Sequence, residues 1–269
     1  MSEVASTIKP QEGSAATMPE PQFDAVMQRF SGSDFERSFP GQSVAELMNP
    51  AASLFDMRAA ETRAAHQEAL YAVCKRAIDI FISLTAVLFL SPIIAIAGIT
   101  VKLYDGGPFL FSQIRVGKSG REFRCFKFRS MIVNAEALRS VLLDQNEHSD
   151  QRTFKIMNDS RITLPGRILR RFSIDELPQL INVLRGDMSI VGPRPPLPSE
   201  VALYSAYDFQ RLAVKPGLTC IWQVSGRSRL AFPSQVKMDL EYIRSRSVTT
   251  DIGIILKTIP AVLSGDGAA

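Results

Sequence analysis

A chain of 269 residues, 46% hydrophobic and 22% charged, has the make-up of a folded protein with room for one sizeable core or two small ones. Its formal charge of +4, from 31 Lys and Arg against 27 Asp and Glu, favours anionic partners without choosing among phosphates, acidic lipid and nucleic acid. Three cysteines with no CxxC pair and only two histidines argue against a disulfide framework, a zinc site and Ser–His chemistry.

Residues 1–56 are rich in Ser, Pro, Gly, Ala and acids and show no sustained period, the composition of a disordered tail. Met1 to Gln11 is polar, so no cleavable signal peptide is expected there. From Met57 to Val73 the chain turns to Ala, Glu, Arg and Leu, which favour helix. Residues 57–103 thus read as a helix leading into a membrane segment, with residues 104–269 forming the domain beyond it.

Ile80 to Val101 contains no charged residue. As a straight helix it would be about 33 Å long, the thickness of a bilayer's hydrocarbon core. A plain transmembrane helix is one reading. Ser91 and Pro92 near its middle support another, because proline removes a backbone donor and bends or breaks a helix. Basic residues on both flanks (Lys75 and Arg76 before, Lys102, Arg115, Lys118, Arg121 and Arg124 after) suit a segment that dips in and returns to the same side.

Phe109 to Ser130 reads as a β-hairpin turning at Gly117 to Gly120. "GKSG" is not a P-loop, since the first glycine of that motif would fall on Ser112. The basic and aromatic residues from Arg121 to Arg129 suit a phosphate-facing strand, a membrane-facing one or single-stranded nucleic acid. Helices are expected over residues 134–146 and 236–246. Ile252, Ile255, Leu256 and Ile259 mark one face of a C-terminal helix, either core or interfacial.

Asp175 and Glu176 are adjacent and precede a helical pattern of Leu177, Leu180, Ile181 and Leu184, with Gly186 as its stop. A helix starting at Asp175 places Pro178 in the first turn, where its missing N–H is harmless, and puts both acids at a helix N-terminus. Lys155, Arg161, Arg167, Arg170, Arg171, Arg185 and Arg194 all lie nearby in sequence. Arginine forks match phosphate oxygens, and a carboxylate beside phosphate can serve as metal ligand or nucleophile. Adjacent acids on a helix point about 100° apart, which is ill suited to flanking one glycosidic bond.

"KRAIDI" before the Ser–Pro apolar span, "KFRSM", "SIDELPQLINVLRGDMSIVGPRP" and "KPGLTCIWQVSGR" occur in order between Tyr71 and Leu263. Together they resemble the bacterial sugar transferases, the monotopic phosphoglycosyl transferases that include undecaprenyl-phosphate galactose and glucose phosphotransferases of exopolysaccharide synthesis. The resemblance implies an α+β, mainly helical, monotopic membrane protein. A re-entrant helix broken at Ser91 and Pro92 would enter one leaflet of the inner membrane, and a small catalytic domain with interfacial C-terminal helices would face the cytoplasm. It further implies transfer of sugar-1-phosphate from a UDP-sugar to undecaprenyl phosphate, releasing UMP. Asp175 would be the covalent nucleophile and Glu176 its partner, the two also holding Mg²⁺. Lys127, Arg129, Arg170 and Arg194 would contact phosphate or nucleotide. The sugar and the homo-oligomeric state stay open, and no nucleic-acid partner is expected. The rival reading is a non-catalytic basic scaffold at a membrane surface, with or without nucleic-acid affinity.

Overall fold

A computed structural model of the protein describes residues 50–139, 150, 152, 156, 159–226 and 230–265. The polar N-terminal segment up to residue 49 lies outside the described residues. The chain divides into two compact units, Met1–His66 and Gln67–Ala269. The apolar span and all the elements after it belong to the second.

Helix α1 (Pro50–Asp105) joins the Ala- and Glu-rich stretch to the apolar span in one element. Pro92 cannot supply the N–H that would bond the carbonyl of Leu88. Ser91 Oγ donates to that carbonyl instead, at 2.8 Å, so the acceptor is satisfied from within the helix. Helical structure therefore continues through the position where the sequence predicts two separate halves. A serine back-bond beside a proline bends helices without ending them.

One face of α1 is covered by the domain: Asp79, Ser83, Ala97 and Val101 are buried. The opposite side exposes Phe81, Leu84, Leu88, Phe89, Ile96 and Ile99. The most apolar stretch is only 11% buried by the rest of the protein, which a core helix could not tolerate in water.

The "KRAIDI" stretch docks α1 onto the domain. Arg76 donates from Nη1 to Val183 O at 2.6 Å and from Nη2 to Leu184 O at 2.7 Å, capping the carbonyl end of a later helix. Asp79 Oδ1 accepts from Ser189 Oγ at 3.0 Å and from Ile190 N at 2.9 Å. Lys75 pairs with Asp251 at 2.8 Å. The basic flank before the apolar span is thus largely consumed in docking.

After α1, strands β1 (Leu110–Val116) and β2 (Glu122–Phe128) form the expected antiparallel hairpin. Its register pairs Phe111 with Lys127, Gln113 with Cys125 and Arg115 with Phe123 on one face. Residues 134–139, expected to open a helix, instead form turns and a 3₁₀ segment at Ala137–Arg139; residues 140–146 of that expectation lie outside the described residues. Helix α2 (Leu164–Arg171) is capped by Thr163, whose Oγ1 accepts from Gly166 N at 3.1 Å.

Helix α3 (Gln179–Arg185) ends at Gly186, which takes the left-handed conformation at φ 89°. Strand β3 (Ser189–Val191) runs parallel to β4 (Gly217–Thr219), with the short helices α4 (Pro198–Val201) and α5 (Ala206–Phe209) between them. Gly192 and Gly217 let the two strands touch: a Cβ on Gly217 would lie 2.1 Å from Gly192 N. Helices α6 (Ile221–Ser225), α7 (Phe232–Ser245) and α8 (Val248–Ser264) complete the domain. The main core joins Cys125, Leu180, Val183, Met188, Ile190, Val191, Tyr242 and Ile254. Helix α8 buries Asp251 and Ile254 but exposes Ile252, Leu256, Ile259 and Leu263, so its two faces serve core and exterior at once.

Candidate active site

The acid pair does not begin α3. Asp175 and Glu176 occupy a separate 3₁₀ turn, Ile174–Glu176, and Pro178 is the N-cap of the following helix. The expected helix start at Asp175 is corrected accordingly. Pro178 has no N–H to give a continuing helix, so the chain tightens before it and begins again after it. Ser173 precedes the turn at φ 53°, a left-handed conformation rare for a residue with a Cβ, and its side chain makes no cap. Such strain persists where the surroundings hold it.

Asn182 of α3 supplies part of that hold. Its Oδ1 accepts from Phe126 N at 3.1 Å and its Nδ2 donates to Arg124 O at 2.7 Å, locking α3 to β2. Lys127, next along β2, then meets the 3₁₀ turn: its Nζ lies 2.6 Å from Glu176 Oε1. Arg194, in the loop after β3, places Nη1 3.6 Å from the same oxygen. Arg170, near the end of α2, donates from Nε to Ser130 Oγ at 2.9 Å and faces Asp175 electrostatically.

Of the residues singled out in the sequence, Lys127, Arg170 and Arg194 gather around the acids. Arg129 lines the same cleft, but its Nη2 pairs with Asp105 at the end of α1. Arg115 was missed as a site residue. It bonds Pro195 O at 3.0 Å and Gln113 Oε1 at 2.8 Å and lies beside Lys127, Glu176 and Arg194. Strand alternation could have found it, because the hairpin register puts Gln113, Arg115 and Lys127 on one face.

The two carboxylates are unlike. Glu176 loses solvation, which pushes its pKa up, but Lys127, Arg194 and Arg115 outweigh that and hold it down at about 2. Asp175 is pushed up instead, first by burial; Lys127 and Arg170 pull the other way and the Glu176 charge adds to the rise. Among the described residues Asp175 accepts no hydrogen bond, although it is only 7% exposed. Environments that push neighbouring acids apart assign them different roles.

Both acids open onto a cleft of about 1070 Å³, more than one small ligand needs. Its walls run from Arg194 and Gln223 past the acids to Ile82, Ala86 and Leu90 of α1 and Ile259 of α8. Among the described residues no three His, Cys, Asp or Glu side chains converge on a metal site. Two carboxylates do fit Mg²⁺ arriving with phosphates, since that ion takes one or two protein carboxylates and fills its remaining positions with water and phosphate oxygen.

The family model for bacterial sugar transferases matches residues 70–265. This chain belongs to the bacterial sugar transferase family. The galactosyl transferase CpsE of Streptococcus agalactiae is 46% identical over 197 residues, covering 73% of this chain and 43% of that protein. The exopolysaccharide production protein ExoY of Sinorhizobium fredii is 40% identical over 200 residues, covering 73% of this chain and 88% of ExoY. The undecaprenyl-phosphate galactose phosphotransferase of Salmonella typhimurium is 41% identical over 197 residues, covering 72% of this chain and 41% of that enzyme. The transferase thus spans less than half of two of these relatives and nearly all of the third. Membership in a family of enzymes sets aside the non-catalytic scaffold.

Proposed function

We propose that this transferase moves sugar-1-phosphate from a UDP-sugar, galactose or glucose first, to undecaprenyl phosphate by two displacements at Asp175. The names of the relatives support the substrate classes, since they include a galactose phosphotransferase acting on undecaprenyl phosphate and proteins of exopolysaccharide production. The observation that carries the mechanism is the contrast within the acid pair. Glu176 is held by Lys127 and Arg194, whereas the Asp175 carboxylate accepts no hydrogen bond among the described residues and faces a cation-lined cleft.

In the first displacement an Asp175 oxygen attacks the sugar-linked phosphorus, the P–O bond to UMP breaks, and UMP leaves with the electron pair. In the second, a phosphate oxygen of the lipid attacks the same phosphorus, the bond to Asp175 breaks, and the carboxylate is restored. Lys127, Arg170 and Arg194 lower the repulsion between attacking anion and phosphate. Asp175 and Glu176 would hold Mg²⁺, which supplies charge neutralisation at the phosphates when bound. Arg115 positions Arg194 by holding the Pro195 carbonyl.

The membrane seat follows from apolar surface. Exposed α1 residues, together with Ile252, Leu256, Ile259 and Leu263 of α8 and Leu164 and Ile168 of α2, offer a lipid-facing surface. Both flanks of the α1 span touch one unit: Arg76 and Asp79 at its start, Ala97 and Val101 against Phe128 and Leu169 at its end. That favours a re-entrant helix bent at Ser91 and Pro92, entering one leaflet of the inner membrane from the cytoplasmic side. The test is incubation with a panel of UDP-sugars labelled in the sugar, without lipid. Label retained on denatured wild type and absent from D175N is expected; retention by D175N would sink the covalent mechanism.

A further inference from the structure

Helix α2 turns one face to the reaction site and the other outward. Inward, Gly166 and Leu169 are buried, while Arg170 donates to Ser130 and faces the Asp175 charge. At about 100° per residue, the outer arc holds Leu164, Arg167, Ile168, Arg171 and the C-cap Phe172, and all five are exposed. Leu164, Ile168 and Phe172 follow at intervals of four and form one apolar stripe. Arg167 and Arg171, also four apart, run beside it. The helix contains no acid, and among the described residues neither arginine enters an ion pair; Arg171 lies over the Phe172 ring, 5.6 Å from its centroid. An exposed apolar stripe edged by unpaired arginines suits a helix lying in a bilayer surface, with apolar side chains among the acyl chains and cations at headgroup height.

The neighbours of α2 set that height. Its Leu169 packs with Ala97 and Val101, where the apolar span of α1 ends and the charged chain resumes at Lys102. On its other side, a Cβ on Gly265, the C-cap of α8, would lie 2.8 Å from Arg171 Cγ. Helix α2 thus links the exposed apolar surfaces of α1 and α8 at the level where α1 leaves the hydrocarbon. A guanidinium there meets lipid phosphate. A zwitterionic headgroup carries its own cation beside the phosphate, whereas an anionic one leaves the phosphate charge uncompensated and open to the arginine fork.

We propose that Arg167 and Arg171 bind the headgroup phosphates of anionic phospholipids, so that α2 senses the charge of the leaflet on which it rests. The inference rests on the membrane seat argued above and adds a partner distinct from both substrates. The acceptor's phosphate must reach Asp175, which Arg170 faces from the inner side of α2, so it is not the ligand of the outer pair.

The experiment uses full-length protein in neutral detergent, without UDP-sugar. Short-chain phosphatidylglycerol, short-chain phosphatidylcholine and polyprenyl phosphate are titrated in separate arms, and calorimetry reads each Kd. Wild type is expected to bind phosphatidylglycerol about tenfold or more tighter than phosphatidylcholine, a preference that shrinks as salt rises. In R167Q/R171Q the preference should fall to within about twofold, since each cation near an anionic surface is worth about fivefold. Its Kd for polyprenyl phosphate should stay within about twofold of wild type. The single variant R171Q, expected to lose about fivefold, decides the matter where the double variant does not fold. A wild type without the preference, a double variant that keeps it, or a loss confined to polyprenyl phosphate overturns the proposal. Flotation with neutral phosphatidylcholine vesicles tests the membrane seat separately, and both proteins should float. A wild type that stays behind counts against the seat instead, and the titration still reads the arginine pair.

Discussion

Two clusters of buried charge in this transferase are built on opposite principles. At the start of the apolar span, Arg76 and Asp79 use their charges to complete backbone hydrogen bonding, Arg76 on the Val183 and Leu184 carbonyls and Asp79 on Ile190 N. In the cleft, among the described residues, Asp175 accepts no hydrogen bond and Arg129 leaves Nε and Nη1 unpaired. The first cluster spends its charges on holding helix to domain. The second leaves part of its hydrogen-bonding capacity unspent, at a cost in stability that the rest of the fold must offset. The same residue types thus mark structure in one place and chemistry in another, and what separates them is whether their hydrogen bonds are already made.

The sharpest way to break this contrast is at Asp175. D175N should lower UMP release by about three orders of magnitude or more, as removal of a nucleophile does. Because burial raises the Asp175 pKa, its ionised form opposes folding at neutral pH. Thermal denaturation should therefore find D175N as stable as the wild type or more so. A clear fall in Tm would place Asp175 among the structural charges.

D79A is the mirror experiment. It strands Ile190 N and Ser189 Oγ in a buried site and should cost about 2–4 kcal/mol, read by denaturant unfolding. Its UMP release per folded molecule should change little. E176Q should fall between the two, with UMP release reduced about tenfold to a hundredfold because Lys127 and Arg194 lose the charge that holds them.

The smallest effect is a pH dependence. The folded pKa of Glu176, about 2, lies below its ordinary value of 4.5. Its contribution to stability is present above the ordinary value and is lost as pH falls through the folded one. Wild-type Tm should therefore drop more steeply than that of E176Q below pH of about 4.5. Parallel curves would mean that the cations around Glu176 do not stabilise its charge.

Local signals in the sequence carry some elements further than others. The hairpin around Gly117 to Gly120 was legible because alternation and turn residues are local properties, and so was the stop at Gly186, where φ 89° favours glycine. The helix starts later than the sequence predicts: Pro178 opens α3, and the acids lie in a 3₁₀ turn led by a left-handed Ser173, a conformation set by packing against α2 and β2 rather than by local preference. Arg115 was read only as one of the cations flanking the apolar span, because an arginine carries no site label until strand register and the Pro195 carbonyl give it a place.

By itself the sequence determined the apolar span, the order of the motifs, the acid pair and the surplus of cations, since each is a property of neighbouring residues. Only the tertiary structure decided which cation meets which acid, that Glu176 is bonded while Asp175 is open, and that Arg129 turns toward Asp105 at the end of α1. The reason is physical. Hydrophobic pattern and backbone preference act over a few residues, whereas the pairing and solvation of a buried charge depend on groups brought together from 20 to 180 positions away, such as the 24 between Asp105 and Arg129 and the 176 between Lys75 and Asp251.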